Sequence, residues 1–282
     1  MERRQSVPRR MEVMLVATRR KDRMPFLISR PECTIRRLVC SHWKVTSPVI
    51  STRRLAPGAL LSNTVDNNTA TGAGALLSNT TGESNTANGV FSLFDNTTGG
   101  SNTSTGFAAL GNNTTGSFNT ANGTNALLNN TTANSNTATG FQALQGNTTG
   151  AHNTANGFNA LASNTAGFGN TAMGFQALQS NTTGNANIAI GTNALVGNTT
   201  GGSNTAIGSG ALFDNTTGDS NTALGVSAGS SVITASNVIC IGTEGANVNN
   251  SCFIGISTPT CSLLWGWTRF SDNNKHRKTW PR

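Results

Sequence analysis

Asn136-Thr137-Ala138-Thr139-Gly140-Phe141-Gln142-Ala143-Leu144-Gln145-Gly146-Asn147-Thr148-Thr149-Gly150-Ala151-His152 is one complete unit of this chain, and Asn153 begins the next. The unit is marked most sharply by glycine, which recurs every 17 residues at Gly72, Gly89, Gly106, Gly123, Gly140, Gly157, Gly174, Gly191, Gly208, Gly225 and Gly242. An Asn-Thr-Ala-x-Gly box precedes most of these glycines, an Ala-Leu pair follows, and Asn-Thr-Thr-Gly completes the unit, as at Asn96 to Gly99 and Asn215 to Gly218. The residue before the glycine alternates Thr71, Asn88, Thr105, Asn122, Thr139, Asn156, which makes the longer period 34. From Met173 onward that position turns apolar, with Ile190, Ile207 and Leu224, so the C-terminal rungs are expected to be the better packed.

A period of 17 is too short for a helical hairpin repeat and carries no helix formers at helical spacing. It fits one turn of a β-coil. At about 3.3 Å per residue and about 4.8 Å between neighbouring chains, such a turn holds two or three short strands separated by turns. Asn-Thr-Thr-Gly supplies the turn, because Asn tolerates left-handed backbone and Gly adopts positive φ without steric cost. Stacked units put like residues above one another, so Asn columns can hydrogen-bond as ladders and small Ala and Thr columns can pack. The box alanines, such as Ala121 and Ala172, and the leucines, such as Leu127 and Leu178, are expected to face inward. The fold class expected over residues 58–255 is therefore all-β, a parallel β-solenoid of 17-residue rungs.

Charge separates this array from its flanks. Residues 59–255 hold no Lys or Arg and six acids, Asp66, Glu83, Asp95, Asp214, Asp219 and Glu244, so the net +8 of the chain comes from outside the array. The basic composition is thus no evidence that the array binds nucleic acid. Residues 1–57 are rich in Arg pairs and show no repeat. A nucleic-acid-binding arm is one reading of them, and a shifted reading frame or mis-assigned start is the preferred one. The tail, 256–282, with Trp265, Trp267 and Trp280, reads as disordered or frame-shifted in the same way. The apolar patch Met11 to Thr18 is followed by Arg19-Arg20-Lys21 where a signal peptide would need small residues, and no apolar run is long enough to span a membrane.

The run Asn-Thr-Ala-x-Gly-x-x-Ala-Leu-x-x-Asn-Thr-Thr-Gly resembles repeats of bacterial and phage tail-fibre-like proteins and, more loosely, the head repeats of trimeric autotransporter adhesins. Residues 237–242 and 250–255 look like the segment that closes such arrays. The resemblance implies an extracellular, cell-surface or virion location and a homotrimer that touches a surface glycan or receptor. A C-terminal chaperone domain that often follows in that family is not found in residues 256–282.

Chemistry is sparse. Lone His152 shares its place in the unit with Ser101, Ser135 and Ser203, and Asp95 and Asp214 lie seven units apart, too far for a carboxylate pair. The five cysteines, Cys33, Cys40, Cys240, Cys252 and Cys261, follow no repeat and have no metal-ligand spacing, so neither catalytic residue nor metal nor cofactor is expected. Cys240 sits in an apolar strand as a buried thiol. The Asn-x-Thr sequons at Asn79, Asn96, Asn147, Asn181, Asn198 and Asn215 read as turns. Function is expected to be structural or adhesive. Trimer contacts are placed on the column after the glycine, at Phe107, Phe141, Phe158 and Phe175, because rings there would overfill a narrow rung. The alternative is an ice-binding solenoid using Thr and Asn ladders. Against it, the Thr pair of the unit is assigned to a turn and not to a strand.

Overall fold

The structure, a computed structural model, describes residues 53–255. All thirteen strands lie in one parallel sheet, in chain order: β1 (Arg53–Arg54), β2 (Thr69–Thr71), β3 (Thr86–Asn88), β4 (Thr103–Thr105), β5 (Thr120–Asn122), β6 (Thr137–Thr139), β7 (Thr154–Asn156), β8 (Thr171–Met173), β9 (Ile188–Ile190), β10 (Thr205–Ile207), β11 (Thr222–Leu224), β12 (Ile239–Ile241) and β13 (Cys252–Ile254). Parallel pairing at a constant register of 17, such as Thr137↔Thr154, Ala138↔Ala155 and Thr139↔Asn156, makes each repeat one rung of a β-solenoid. Twelve steps of about 4.8 Å give a ladder roughly 58 Å long. The ladder begins at Arg53, five residues before Gly58. Its end rungs are shorter: β1 to β2 advances 16 residues and β12 to β13 advances 13. The arginine-rich residues before 53, the tryptophan-bearing tail and Cys33, Cys40 and Cys261 lie outside the described residues. Among the described residues there is no helix long and apolar enough to cross a membrane.

Each 17-residue rung has one three-residue strand, fewer than the two or three expected. The remaining fourteen positions are turns, bends and irregular backbone, yet they too are laddered. In the rung from Thr137 to Asn153, Gly140 N–H donates back to Asn122 C=O at 2.8 Å, and Leu144 N–H donates forward to Ala160 C=O at 3.0 Å. Thr148 N–H donates forward to Thr165 C=O at 3.0 Å, and His152 N–H donates back to Asn134 C=O at 3.2 Å. Corners as well as strand are therefore stitched to the rungs above and below.

Burial follows from strand alternation. The middle residue of each strand points inward, so Ala121, Ala138, Ala155 and Ala172 are fully buried, together with the Ala-Leu pairs such as Ala143-Leu144. The other half of the interior is polar. Asn79, Asn96, Asn113, Asn130, Asn147 and their successors to Asn215 are fully buried, as is the second column from Asn68 to Asn221. Asn147 Nδ2 donates to Asn130 Oδ1 of the previous rung at 2.9 Å and to Gly150 C=O of its own at 2.9 Å. Asn153 accepts the N–H of Asn170 on its Oδ1 at 2.9 Å and donates from Nδ2 to Gly167 C=O at 2.8 Å. Burying an amide is costly unless it is hydrogen-bonded, and here the partner is supplied by the next copy of the same residue.

This arrangement corrects the expected role of Asn-Thr-Thr-Gly. Its Asn is not left-handed, and its Gly, such as Gly150, does not have positive φ. The Asn is there to hydrogen-bond inward. The Gly is there because a Cβ would meet the Gly167 carbonyl and Asn147 Oδ1. Left-handed corners sit elsewhere, three to a rung: at Gln142, Leu144 and His152 in this one. All ten leucines of the column from Leu60 to Leu212 have φ between 50° and 56°.

The C-terminal end closes the polar ladders. Val232 and Val238 stand where earlier rungs have the two asparagines, both buried, and Val238 N–H donates to Asn221 Oδ1 at 2.9 Å. Gly229 replaces the leucine of its column, and the next rung loses four residues.

Candidate binding surface

Because each strand turns its middle residue inward, its first and third residues face out, and outward columns run the length of the sheet. Seven strands, β2 to β8, begin with an outward Thr from Thr69 to Thr171. The third residue alternates Thr71, Asn88, Thr105, Asn122, Thr139 and Asn156, with Thr71 Oγ1 donating to Asn88 Oδ1 at 2.7 Å. Thr-Ala-Thr therefore occurs in β2 and β6, and Thr-Ser-Thr in β4, with both Thr side chains outward. The assignment of the unit's Thr pair to a turn alone is thus incomplete, and the ground it gave against a Thr-faced sheet falls away. A period of two decides the matter, since a three-residue strand can show only its ends.

The third-residue column also corrects the packing expected at the C-terminal end. Met173, Ile190, Ile207 and Leu224 do not fill the rung; they face outward and are 38 to 49 % exposed. The same alternation that buries Ala172 and Ala189 puts their neighbours in solvent.

The glycine column forms the corner after the strand. From Gly72 to Gly225 its φ lies between 121° and 158°, and Gly242 is at 63°. At Gly157 (φ 145°) a Cβ would sit on the carbonyl oxygen of Gly174, so the column is fixed both by backbone conformation and by the approach of the next rung.

Next to this corner, Phe107, Phe141, Phe158 and Phe175 point outward and are 42 to 50 % exposed. Phe141 and Phe158 stack at a centroid distance of 5.2 Å and 14° between planes, and Phe158 and Phe175 at 5.3 Å and 10°. Thr124 separates this stack from Phe107, which instead meets Phe91 edge-on at 6.0 Å, and Phe91 meets Phe94 edge-on at 5.3 Å. Phe91, Phe94, Ala108, Gly111, Asn112 and Leu128 line an open apolar notch beside them. These aromatic contacts between rungs follow from column identity in the sequence, but Phe91 and Phe94 break the repeat and lack that signal.

A third outward strip is the Thr pair after the buried Asn. The first Thr of each pair locks its hydroxyl to the next rung, as Thr148 Oγ1 does to Thr165 C=O at 2.9 Å; the second, such as Thr149, is exposed. His152 is exposed among the serines of its column. Among the described residues no three His, Cys, Asp or Glu side chains gather into a metal-binding group. Cys240 is buried as a free thiol, pushed up to about 11 by its burial and then by the neighbouring Cys252, which is exposed.

No family model, curated protein or solved structure matches the chain.

Proposed function

We propose that the solenoid is the shaft of a structural or adhesive fibre, not an enzyme, and that it works outside the cell, at a cell surface or on a virion. The observation that carries this reading is the ladder: a run of stacked 17-residue rungs serves as a spacer with repeated outward columns. Among its outward residues are Thr, Asn, Ser, Gln and Phe, suited to contact with hydroxyl-rich surfaces such as glycans. The Phe column is proposed to be the seam of a homotrimer, since a half-exposed stack of three rings is an apolar patch that association would cover. Sedimentation equilibrium of the full chain tests this. The wild type is expected at three times the chain mass, and Phe141→Ser with Phe158→Ser is expected to shift it toward monomer. A folded wild-type monomer at high concentration would refute the seam.

A second reading is supported by the strand face. Outward Thr and Asn in β2 to β7 form a regular, uncharged array, and regular Thr columns on such a face can order water as an ice-binding surface does. Thermal hysteresis of the purified chain, compared with Thr105→Lys and Thr139→Lys, separates the readings: hysteresis abolished by the substitutions supports ice binding, and its absence in the wild type rejects it.

A further inference from the structure

Along the outward face of the sheet the chemistry changes once. Every outward residue of β2 to β7 is Thr or Asn. Beyond them, Met173, Ile190, Ile207, Leu224, Ile241 and Ile254 follow one another in one column, with Ile188 and Ile239 alternating with Thr171, Thr205 and Thr222 in the column beside it; Ile254 is 70 % exposed and the other aliphatic side chains 37 to 49 %. Neither half carries a charge. A lone outward Ile is ordinary, but six consecutive apolar rungs span about 24 Å of sheet and form a contiguous strip that soluble monomers seldom leave open.

We propose that this strip seats a second copy of this chain, face to face and pointing the opposite way, about a twofold axis that crosses the ladder between Ile207 and Leu224. The rung spacing selects the partner. A copy has the same spacing between its rungs, so the side chains of one strip meet those of the other at the same interval along the whole contact. The absence of charge argues against nucleic acid or an ionic partner. Direction follows from the division of the face: copies running the same way in register would also press Thr and Asn against Thr and Asn, removing hydroxyls and amides from water with no apolar gain. Opposed copies overlap where the third-residue column of both is aliphatic, with only Thr171, Thr205 and Thr222 of the column beside it included, and leave the two Thr/Asn halves free at the ends. The contact is narrower than the roughly 800 Å² per partner of a standard interface, so association is weak and concentration-dependent. It goes beyond the trimer reading and is separable from it, because the Phe column ends at Phe175 where the strip begins.

The test is sedimentation velocity of the full chain over a hundredfold concentration range. The wild type is expected to show a step that doubles the mass of the smallest species. Ile190→Thr, Ile207→Thr and Leu224→Thr together introduce the residue this column has at Thr71, Thr105 and Thr139, so the ladder keeps its β circular-dichroism spectrum while the step weakens at least tenfold. Phe141→Ser with Phe158→Ser should leave the step in place. Orientation is read with a short bismaleimide on chains in which Cys240 is replaced by Ala and the other cysteines by Ser. Thr205→Cys, near the axis, should cross-link, and Thr137→Cys, in the polar half, should not. Equal cross-linking at both sites, cross-linking at neither, or identical sedimentation of wild type and the triple Thr variant overturns the proposal.

Discussion

Leu144 and its column-mates adopt left-handed backbone that costs a non-glycine residue roughly 1–2 kcal/mol, yet each is fully buried, worth about 1.5–3 kcal/mol. The corner is thus held by what its side chain fills, and no glycine marks it. Glycine itself has two separate reasons in the unit. At Gly157, positive φ and the Gly174 carbonyl both oppose a methyl; at Gly150 only the collision with the Gly167 carbonyl and Asn147 Oδ1 does, and its column takes up a methyl at Ala133 and Ala235, both buried. Gly157→Ala is therefore expected to cost more than Gly150→Ala by about 1–3 kcal/mol, the backbone strain that only the first position adds. Thermal melts of the two variants check this, and equal shifts would contradict it. Asn147→Ala leaves Asn130 Oδ1 without a donor and takes the acceptor from Asn164 Nδ2, while Gly150 C=O keeps the donor Asn136 Nδ2. At about 1–3 kcal/mol for the one buried acceptor left bare and about 1 kcal/mol for the bond from Asn164, the loss should be about 2–4 kcal/mol, measured by chemical denaturation. Asn129→Ala, outside the buried column, should cost far less.

At the scale of the rung, the repeat length, the parallel stack, the inward Ala and Leu and the stacking of like residues are all legible in the sequence, because strict spacing leaves few ways to superpose 17-residue units. What is not legible is conformational. Leu at positive φ has no sequence signal, and Asn reads as a turn former whether it bends the chain or hydrogen-bonds into the core. The direction of the third strand residue is also missed at Met173 and beyond, where apolar character suggests the interior and the register places it outside. Buried substitutions can be matched across rungs: Ser92 and Ser104 each replace an interior Ala, and their hydroxyls meet at 2.7 Å. Near the C-terminal end the thiol of Cys240 takes the place of Ala. Its pKa is raised above the ordinary value of 9.0, so the folded state holds its proton more tightly than the unfolded state. The stability it contributes is present below pH 9 and is lost as pH rises toward about 11. Cys240→Ala should remove that part of the alkaline decline in melting temperature, and an unchanged pH profile would show that the thiol does not contribute.

For the whole molecule, the ladder behaves as a stack of nearest-neighbour contacts, each rung completing the hydrogen bonds of the one before. Removing residues 120–153, two units of 17, joins Asn119 to Thr154 and restores every column, including the Thr/Asn alternation. The shortened chain is expected to fold with a proportionally smaller unfolding enthalpy, whereas removing 120–135 should break the register and the cooperative melt; calorimetry distinguishes them. The same ladder has a consequence for where the protein can be made. Asn79, Asn96, Asn147, Asn181, Asn198 and Asn215 are sequon asparagines whose amides are fully buried and bonded to the adjacent rung. A sugar joined to any of them during synthesis would occupy the space of that rung's neighbour. In a eukaryotic secretory cell, blocking oligosaccharide transfer should raise the yield of folded chain; if yield is the same with and without the block, the sequons escape modification. Glycosylation and folding compete for the same nitrogen atoms, and the first to reach them excludes the other.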